Sequence, residues 1–260
     1  MSNHEIPKDH PCYVSLTVRD AIISGMHQKI VAEAGLIAHG RGEAFDYILG
    51  ENTPKFALKQ EEFAVLYLLS AGKPIISVNG NVAALCPKEI VDLSNILKAP
   101  LEINLFYRSQ EREQAIKKKL IDAGAGLILG LDPEYQETIA EISHLRRIVD
   151  SRGIAISDCV FVPLEDGDRT QALRRMNKSV VTVDLNPISR TSLTANVSIT
   201  NNLIRAVPEM IKYAEEFVQL PKNQLKERLK HYSNEKLLQD ALKFMSERLN
   251  TLATSDKLVI

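Results

Sequence analysis

Three short stretches of the chain concentrate residues suited to chemistry on phosphates and carboxylates. The first, GLIAHGRGEAFD (Gly35–Asp46), sets Arg41 between Gly40 and Gly42, with His39 before it and Glu43 after it. Glycines let backbone approach a ligand, and a guanidinium meets a phosphate or carboxylate through two parallel hydrogen bonds. A helix is expected to start near Glu43, with its amides aimed at the space Arg41 occupies; the alternative is a turn that happens to carry charges. The second stretch, VPLEDGDRTQAL, offers Glu165, Asp166 and Asp168 around Gly167, then Arg169 and Thr170. Three carboxylates at this spacing can hold Mg²⁺ directly or through its waters, or receive a substrate ammonium, and can equally cap the helix that follows. The third, VDLNPISRTS, gives Asp184, Leu185, Asn186, Ser189, Arg190 and Thr191. An acid closing a strand suits ribose hydroxyls, and an arginine six residues on can take a phosphate.

Further polar groups follow other apolar runs. SVNGNVAAL carries Asn79, Gly80 and Asn81; Asn-Gly favours positive φ, so successive amides there form either an anion-binding concavity or a simple turn. SITNNLIRAVP carries Asn201, Asn202 and Leu203 where a helix begins, as caps or as ligand contacts. Arg108, after NLFY, reads more simply as a solvated charge. His39 is by itself more often a structural imidazole than a catalyst. No Gly-Lys-Ser/Thr and no G-x-G-x-x-G occurs, which disfavours a Walker loop and a hydride-transfer cofactor. The alternatives kept open are a Rossmann-type nucleotide-dependent oxidoreductase, which needs that glycine fingerprint, and a non-catalytic nucleotide-sensing dimer.

These groups need elements to position them. Apolar residues recur at helical spacing from Ser15 to about Ala34, and EEFAVLYLLSA (Glu61–Ala71) predicts another helix. Strand-like runs follow at Pro74–Val78, Leu101–Tyr107, Gly126–Gly130, Ser157–Leu164, Ser179–Leu185 and Asn196–Thr200, most of them leading into helices. The alternation predicts an α/β, Rossmann-like, doubly wound and mostly parallel sheet with helices on both faces, plus N-terminal helices and a helical C-terminal tail. Such sheets bind ligands at the carboxyl ends of their strands. Residues 1–220 are expected to form the nucleotide- and substrate-binding domain and 221–260 a helical extension. Leu225, Leu229 and Tyr232, then Leu238, Leu242, Met245, Leu249 and Leu252, recur in steps of four and three, which suits either a partner interface or packing on the chain's own core.

Bulk properties narrow the field. The 260 residues are 45% hydrophobic and 25% charged with net charge −1, enough for a full core and no global attraction for nucleic acid or anionic membrane. Cys12, Cys86 and Cys159 lack paired ligand spacing and predict reduced thiols. The polar MSNHEIPKDHP and the absence of an apolar stretch near 18 residues predict neither signal peptide nor membrane span, and a cytoplasmic location.

The blocks VAEAGLIAHGRGEAFDYILGE, ISVNGNVAALCP, INLFYR, VPLEDGDRTQAL and VDLNPISRTS, in this order from about His10 to Pro208, resemble the archaeal 4-phosphopantoate–β-alanine ligases, also called phosphopantothenate synthetases. Cys12, in HPCY, departs from an arginine expected in many relatives, and no ligand role is given to it. The resemblance implies a Rossmann-like homodimer that joins 4-phosphopantoate to β-alanine at the expense of ATP, through a phosphopantoyl adenylate, with AMP and pyrophosphate released. Nucleotide contacts carried over by this resemblance fall on Arg19, Arg41, Asp184, Leu185, Asn186, Arg190, Thr191, Asn202 and Leu203. Arg41, Arg190, Asp166 and Asp168 become the expected catalytic groups, with Mg²⁺ at Asp166 or Asp168. His39, Asn79, Gly80, Asn81, Glu165, Asp166 and Arg169 are the expected substrate contacts, with the proton acceptor for the β-alanine amine open among Glu165, Asp166, Asp168 and His39.

Overall fold

A computed structural model describes residues 6–10, 12–142, 144–164 and 166–255, so Glu165 of the acidic loop lies outside the described residues. The chain opens with α1 (Tyr13–His27), α2 (Glu33–Leu49) and α3 (Lys55–Ser70). The first half of the sheet follows as β1 (Pro74–Val78), α4 (Gly80–Leu85), α5 (Pro87–Leu97), β2 (Leu101–Ile103), α6 (Gln110–Asp122) and β3 (Ile128–Leu129). A short antiparallel ribbon, β4 (Gln136–Thr138) with β5 (Ile148–Asp150), interrupts the alternation. The second half is β6 (Cys159–Pro163), α7 (Gly167–Arg175), β7 (Ser179–Val183), α8 (Arg190–Thr194), β8 (Val197–Ile199) and α9 (Leu203–Phe217), closed by α10 (Lys222–Leu229) and α11 (Asn234–Thr254).

The main sheet runs β3-β2-β1-β6-β7-β8 with every pairing parallel. Counted without the ribbon, this is the doubly wound order 3-2-1-4-5-6, with its reversal between β1 and β6. Its strands read as continuous apolar runs because both faces are covered. Ile76, Val78, Phe161, Val181 and Val183 join one core; Ile75, Val160, Val162 and Val180, on the alternate positions, join a second core across the sheet.

The expected elements are present, with four differences. The helical run expected from Ser15 to Ala34 is broken at Lys29, which takes φ 62° and turns the chain into α2. No helix starts at Glu43: Arg41 lies within α2, between two helical glycines. Neither glycine needs left-handed backbone, a Cβ at Gly40 would meet open space, and one at Gly42 would only touch Leu185. The surrounding alanine, leucine and glutamate carry the helix through at about 1 kcal/mol for each glycine. Gly80 does not have positive φ either; it starts α4, and its missing side chain leaves room for the carbonyl of Ile30, which a Cβ would approach to 2.2 Å. Finally, the strands stop earlier than their apolar runs, and the ribbon, whose β4 is wholly exposed, carries no alternating signal. The tail is folded onto its own chain, with Leu237, Ala241 and Met245 of α11 buried against Leu49, Phe56, Ala57 and Leu185. Among the described residues no helix is long and apolar enough to cross a membrane, and all three cysteines are free.

Buried acids brace the strand exits. Glu102 on β2 accepts from the amides of Asp150 (3.0 Å) and Ile154 (2.7 Å), tying the ribbon to the sheet, and burial raises its carboxyl to about 7. Glu61 on α3 accepts from Asn201 Nδ2 at 2.7 Å, and burial raises it to about 8 against the opposing pull of that bond. Asn201 in turn accepts from the amide of Asn202 and from Arg205, which donates both terminal nitrogens to Asp46; Asn202 Nδ2 also donates to Asp46, at 2.7 Å. The loop after β8 is therefore set by a buried network whose acid stays protonated at neutral pH. Because the folded pKa of Glu61 is raised, the folded state holds a proton that the unfolded chain releases above about pH 4.5. Its contribution to stability is complete below that pH and is lost as pH climbs towards 8, at up to about 1.4 kcal/mol per pH unit. Glu61→Gln is expected to flatten this decline, leaving the variant about 1–2 kcal/mol more stable than wild type at pH 8 relative to pH 6. Parallel stability–pH curves for the two proteins, from urea melts, would contradict this.

Candidate active site

The reversal of strand order opens a crevice at the carboxyl ends of β1 and β6, and Asn79 fixes its floor. The Asn79 side chain accepts from the amide of Val82 as the N-cap of α4, and its Nδ2 donates to the carbonyls of Pro163 (3.2 Å) and Leu164 (3.1 Å). Above it lies a cleft of about 220 Å³. One wall is α2, through Gly35, His39, Gly42 and Glu43; the floor is Asn79, Gly80, Asn81 and Leu164. Leu185, Asn202 and Leu203 close one end, while Leu105, Phe106, Tyr107, Arg112 and Arg146 close the other.

Of the expected site residues, His39, Asn79, Gly80, Asn81, Leu185, Asn202 and Leu203 line the cleft. Arg19 stands behind its wall: Nε donates to Glu43 at 2.9 Å and Nη2 to the Tyr47 hydroxyl at 2.5 Å. Arg41 projects from α2 exposed and makes no hydrogen bond or ion pair among the described residues. Asp184 accepts from the Asn186 amide at 2.9 Å and from the Ser189 hydroxyl. Burial raises the Asp184 carboxyl, and those two bonds together with the Arg41 charge pull it back. Thr191 is buried at the start of α8.

The acidic loop and the Arg190 loop meet. Asp168 and Arg190 form an exposed ion pair, and their backbones are so close that a Cβ on Gly167 would fall 2.8 Å from that of Arg190. Asp166 does not face the cleft as a free carboxylate. It caps α7 by accepting from the Arg169 amide at 2.9 Å and pairs with Arg146 Nη1 at 3.0 Å. Arg169 is wholly buried beneath β1, donating to Ser77 Oγ at 3.2 and 3.3 Å, so it does not line the cleft. Among the described residues no group of three His, Cys, Asp or Glu is placed to hold a metal. With Asp166 given to a cap and an arginine and Asp168 to Arg190, the described carboxylates of this loop do not fit a resident metal centre.

Sequence reasoning missed Arg112 and Arg146. Arg112 lies in the first turn of α6, where its amide is capped by Ser109, and looks like any surface arginine in the sequence. Arg146 comes from a 3-10 turn within the ribbon, where its own carbonyl accepts from Asn104 of the β2 exit. Arg108, expected to be solvated, is instead half-buried, paired with Glu113 and donating to the Gly130 carbonyl. Burial and the neighbouring Arg169 charge press the Arg146 guanidinium down to about 9, with Asp166 opposing. Burial also lowers His39, so its imidazole is neutral at pH 7, and its Nε2 is enclosed with no hydrogen-bond partner among the described residues. The neutral imidazole of His39, the guanidinium groups of Arg112 and Arg146 and the apolar leucines give this cleft the means to bind an anion and accept a proton.

Comparison with known proteins places the chain in a family. The model of the family described as phosphopantothenate/pantothenate synthetase matches residues 56–248. The chain is similar to the 4-phosphopantoate–β-alanine ligase of Methanosarcina mazei, 46% identical over 249 residues that cover 96% of this chain and 97% of that protein. It is likewise similar to proteins of the same name from Thermococcus kodakarensis, at 49% over 95% of each chain, and Thermococcus onnurineus, at 48% over 96% of this chain and 95% of that one. The chain therefore belongs to the phosphopantothenate/pantothenate synthetase family.

Proposed function

We propose that this chain is an acid–amine ligase that joins 4-phosphopantoate to β-alanine with ATP, through a phosphopantoyl adenylate, and supplies 4′-phosphopantothenate for coenzyme A synthesis. The observation that carries the reading is one cleft at the strand-order reversal, lined by Arg112 and Arg146 at one end and walled by the helix that bears exposed Arg41, in a chain whose relatives bear that ligase name. The nucleotide belongs at the exits of β7 and β8. Leu185 and Leu203 offer apolar surface there, Asp184 a carboxylate for ribose hydroxyls, and Asn186, Thr191 and Asn202 polar contacts. Among the described residues Arg41 makes no hydrogen bond or ion pair, its charge felt by Asp184, and it is available to the phosphates. Arg190 is paired with exposed Asp168, an interaction worth about 0–1 kcal/mol, so exchange for a phosphate is inexpensive. Arg19, through Glu43, keeps the α2 wall in register. Mg²⁺ enters as the counter-ion of the nucleotide rather than on a protein-built centre.

In the first step a carboxylate oxygen of the hydroxy acid attacks the α-phosphorus, and the bond to pyrophosphate breaks. Arg41 and Arg190 offset the charge that develops. In the second, the neutral amine of β-alanine attacks the acyl carbon, AMP leaves with the bonding pair, and the nitrogen gives its second proton to the departing phosphate. The ammonium must first lose a proton, and His39 is the acceptor: neutral, in the cleft wall, with Nε2 unpartnered. The working unit is a homodimer, with the second copy seated on α11, where Leu242 and Leu249 stay 40% and 49% exposed one heptad apart.

Arg41→Ala and Arg190→Ala are each expected to cut ATP–pyrophosphate exchange by at least about 100-fold, about 3 kcal/mol apiece; near-normal exchange would remove both from the adenylation step. His39→Gln is expected to slow amide formation about 100-fold while exchange stays within a few-fold. If exchange fell equally, His39 would not be the amine's base. Light scattering on Leu242→Glu/Leu249→Glu is expected to report monomers where wild type gives dimers; an unchanged dimer would move the interface off α11.

A further inference from the structure

The arginines in the cleft lining gather at the end far from the nucleotide residues. Arg112 is half-buried, and burial pulls its pKa down, with no carboxylate among the described residues opposing it. Its Nη1 donates to the Tyr107 carbonyl and its Nη2 to the Ile30 carbonyl at 3.0 Å, while Nε is enclosed without a partner among the described residues. Two main-chain carbonyls thus take two of five N–H donors, and the positive charge has no counter-ion among the described residues. Withdrawing an ion from water is costly unless an opposite charge meets it. The fold keeps room for this guanidinium, since a Cβ on Gly80 would fall 2.9 Å from Arg112 Nη2. Arg146, buried and paired through Nη1 with Asp166, lines the same end. The Arg112 guanidinium lies beside Gly80 at the β1 exit, and Asn202 follows β8, three strand spacings away, about 14 Å at 4.8 Å each.

We propose that Arg112, with Arg146 beside it, is the subsite for the phosphomonoester of the hydroxy acid. This assignment rests on the ligase reading above and adds to it the element that selects a phosphorylated over an unphosphorylated acid. A phosphate held here lies as far from the triphosphate as the cleft allows, and the acid's carboxylate is turned towards Arg41 and His39. Mutual repulsion of the two substrates is thereby reduced, and the reacting oxygen faces the nucleotide. A guanidinium beside a dianion gives paired, charge-assisted hydrogen bonds, which a lysine at the same position reproduces only in part.

Calorimetric titration of the full-length protein with 4-phosphopantoate and with pantoate, for wild type, R112Q and R112K, tests this. R112Q is expected to weaken 4-phosphopantoate by about 10- to 100-fold while pantoate changes less than about twofold, and R112K to recover part of the loss. Inorganic phosphate is expected to compete with 4-phosphopantoate in wild type and to lose potency in R112Q. Equal weakening of both acids would reduce Arg112 to a staple between α6 and the Ile30 loop and overturn the proposal, as would undiminished preference for the phosphorylated acid in R112Q. Should R112Q fail to fold, R112K carries the test through the same two titrations. Wild-type protein that makes no amide from either acid, with phosphate competition intact, would defeat the ligase reading alone. Ligation by an R112Q that still discriminates would defeat the subsite alone.

Discussion

A single asparagine side chain sits where the sheet changes direction, and the site is built outward from it. Asn79 holds the carbonyls that end β6 with one amide and caps α4 with its oxygen, so the two halves of the doubly wound sheet are pinned at the point where they would otherwise splay. The crevice above it exists because crossovers on either side of β1 run to opposite edges of the sheet. Helix α2 then covers the crevice and converts an open groove into a cleft, held against Asn81 through the Gly35 carbonyl at 2.9 Å.

Charge is arranged in depth around that cleft. Behind the nucleotide end, Glu61, Asn201, Arg205 and Asp46 form a hydrogen-bonded network that presents Asn202 in one orientation, with Glu61 Oε2 left buried without a partner among the described residues. Behind the other end, Glu102 and Arg169 are buried beneath β1 and β2. At the cleft the balance is different: Arg112, in its lining, has no carboxylate partner among the described residues, while Arg41 and Arg190 lie exposed outside the lining, the first under the influence of the Asp184 charge and the second paired with exposed Asp168. Paired charges hold the scaffold, and the cation in the lining faces the space that an anionic substrate would fill.

The main sheet was readable because strands buried on both faces must be continuous apolar runs, and nothing else in the chain combines that composition with flanking helices. Their ends were not. Leu105, Leu164 and Leu185 extend the runs by a residue or two, yet each has left the sheet to line the cleft. Apolar character there serves ligand contact rather than pairing, and the two look alike in one dimension. The glycines flanking Arg41 misled in the opposite sense, since a glycine tolerated on an exposed helix is indistinguishable in sequence from one required by a turn. Gly80 was noticed for a backbone angle it does not adopt; its necessity comes from a carbonyl fifty residues earlier. Arg112 and Arg146 left no local mark, because their proximity depends on α6 and the ribbon folding over the same strand exit. The family resemblance supplied the Arg19, Arg41 and Arg190 end and was silent on this one.

The central claim is that two mutually repelling anions are held at opposite ends of one cleft and meet above Asn79. A crystal structure of the protein with a non-hydrolysable ATP analogue and 4-phosphopantoate tests it most directly. The account predicts the adenosine against Leu185 and Asn202, the triphosphate within reach of Arg41 and Arg190, and the phosphomonoester within hydrogen-bonding distance of Arg112. A nucleotide seated against Arg112 and Arg146, or both phosphate groups gathered at Arg190, would contradict it.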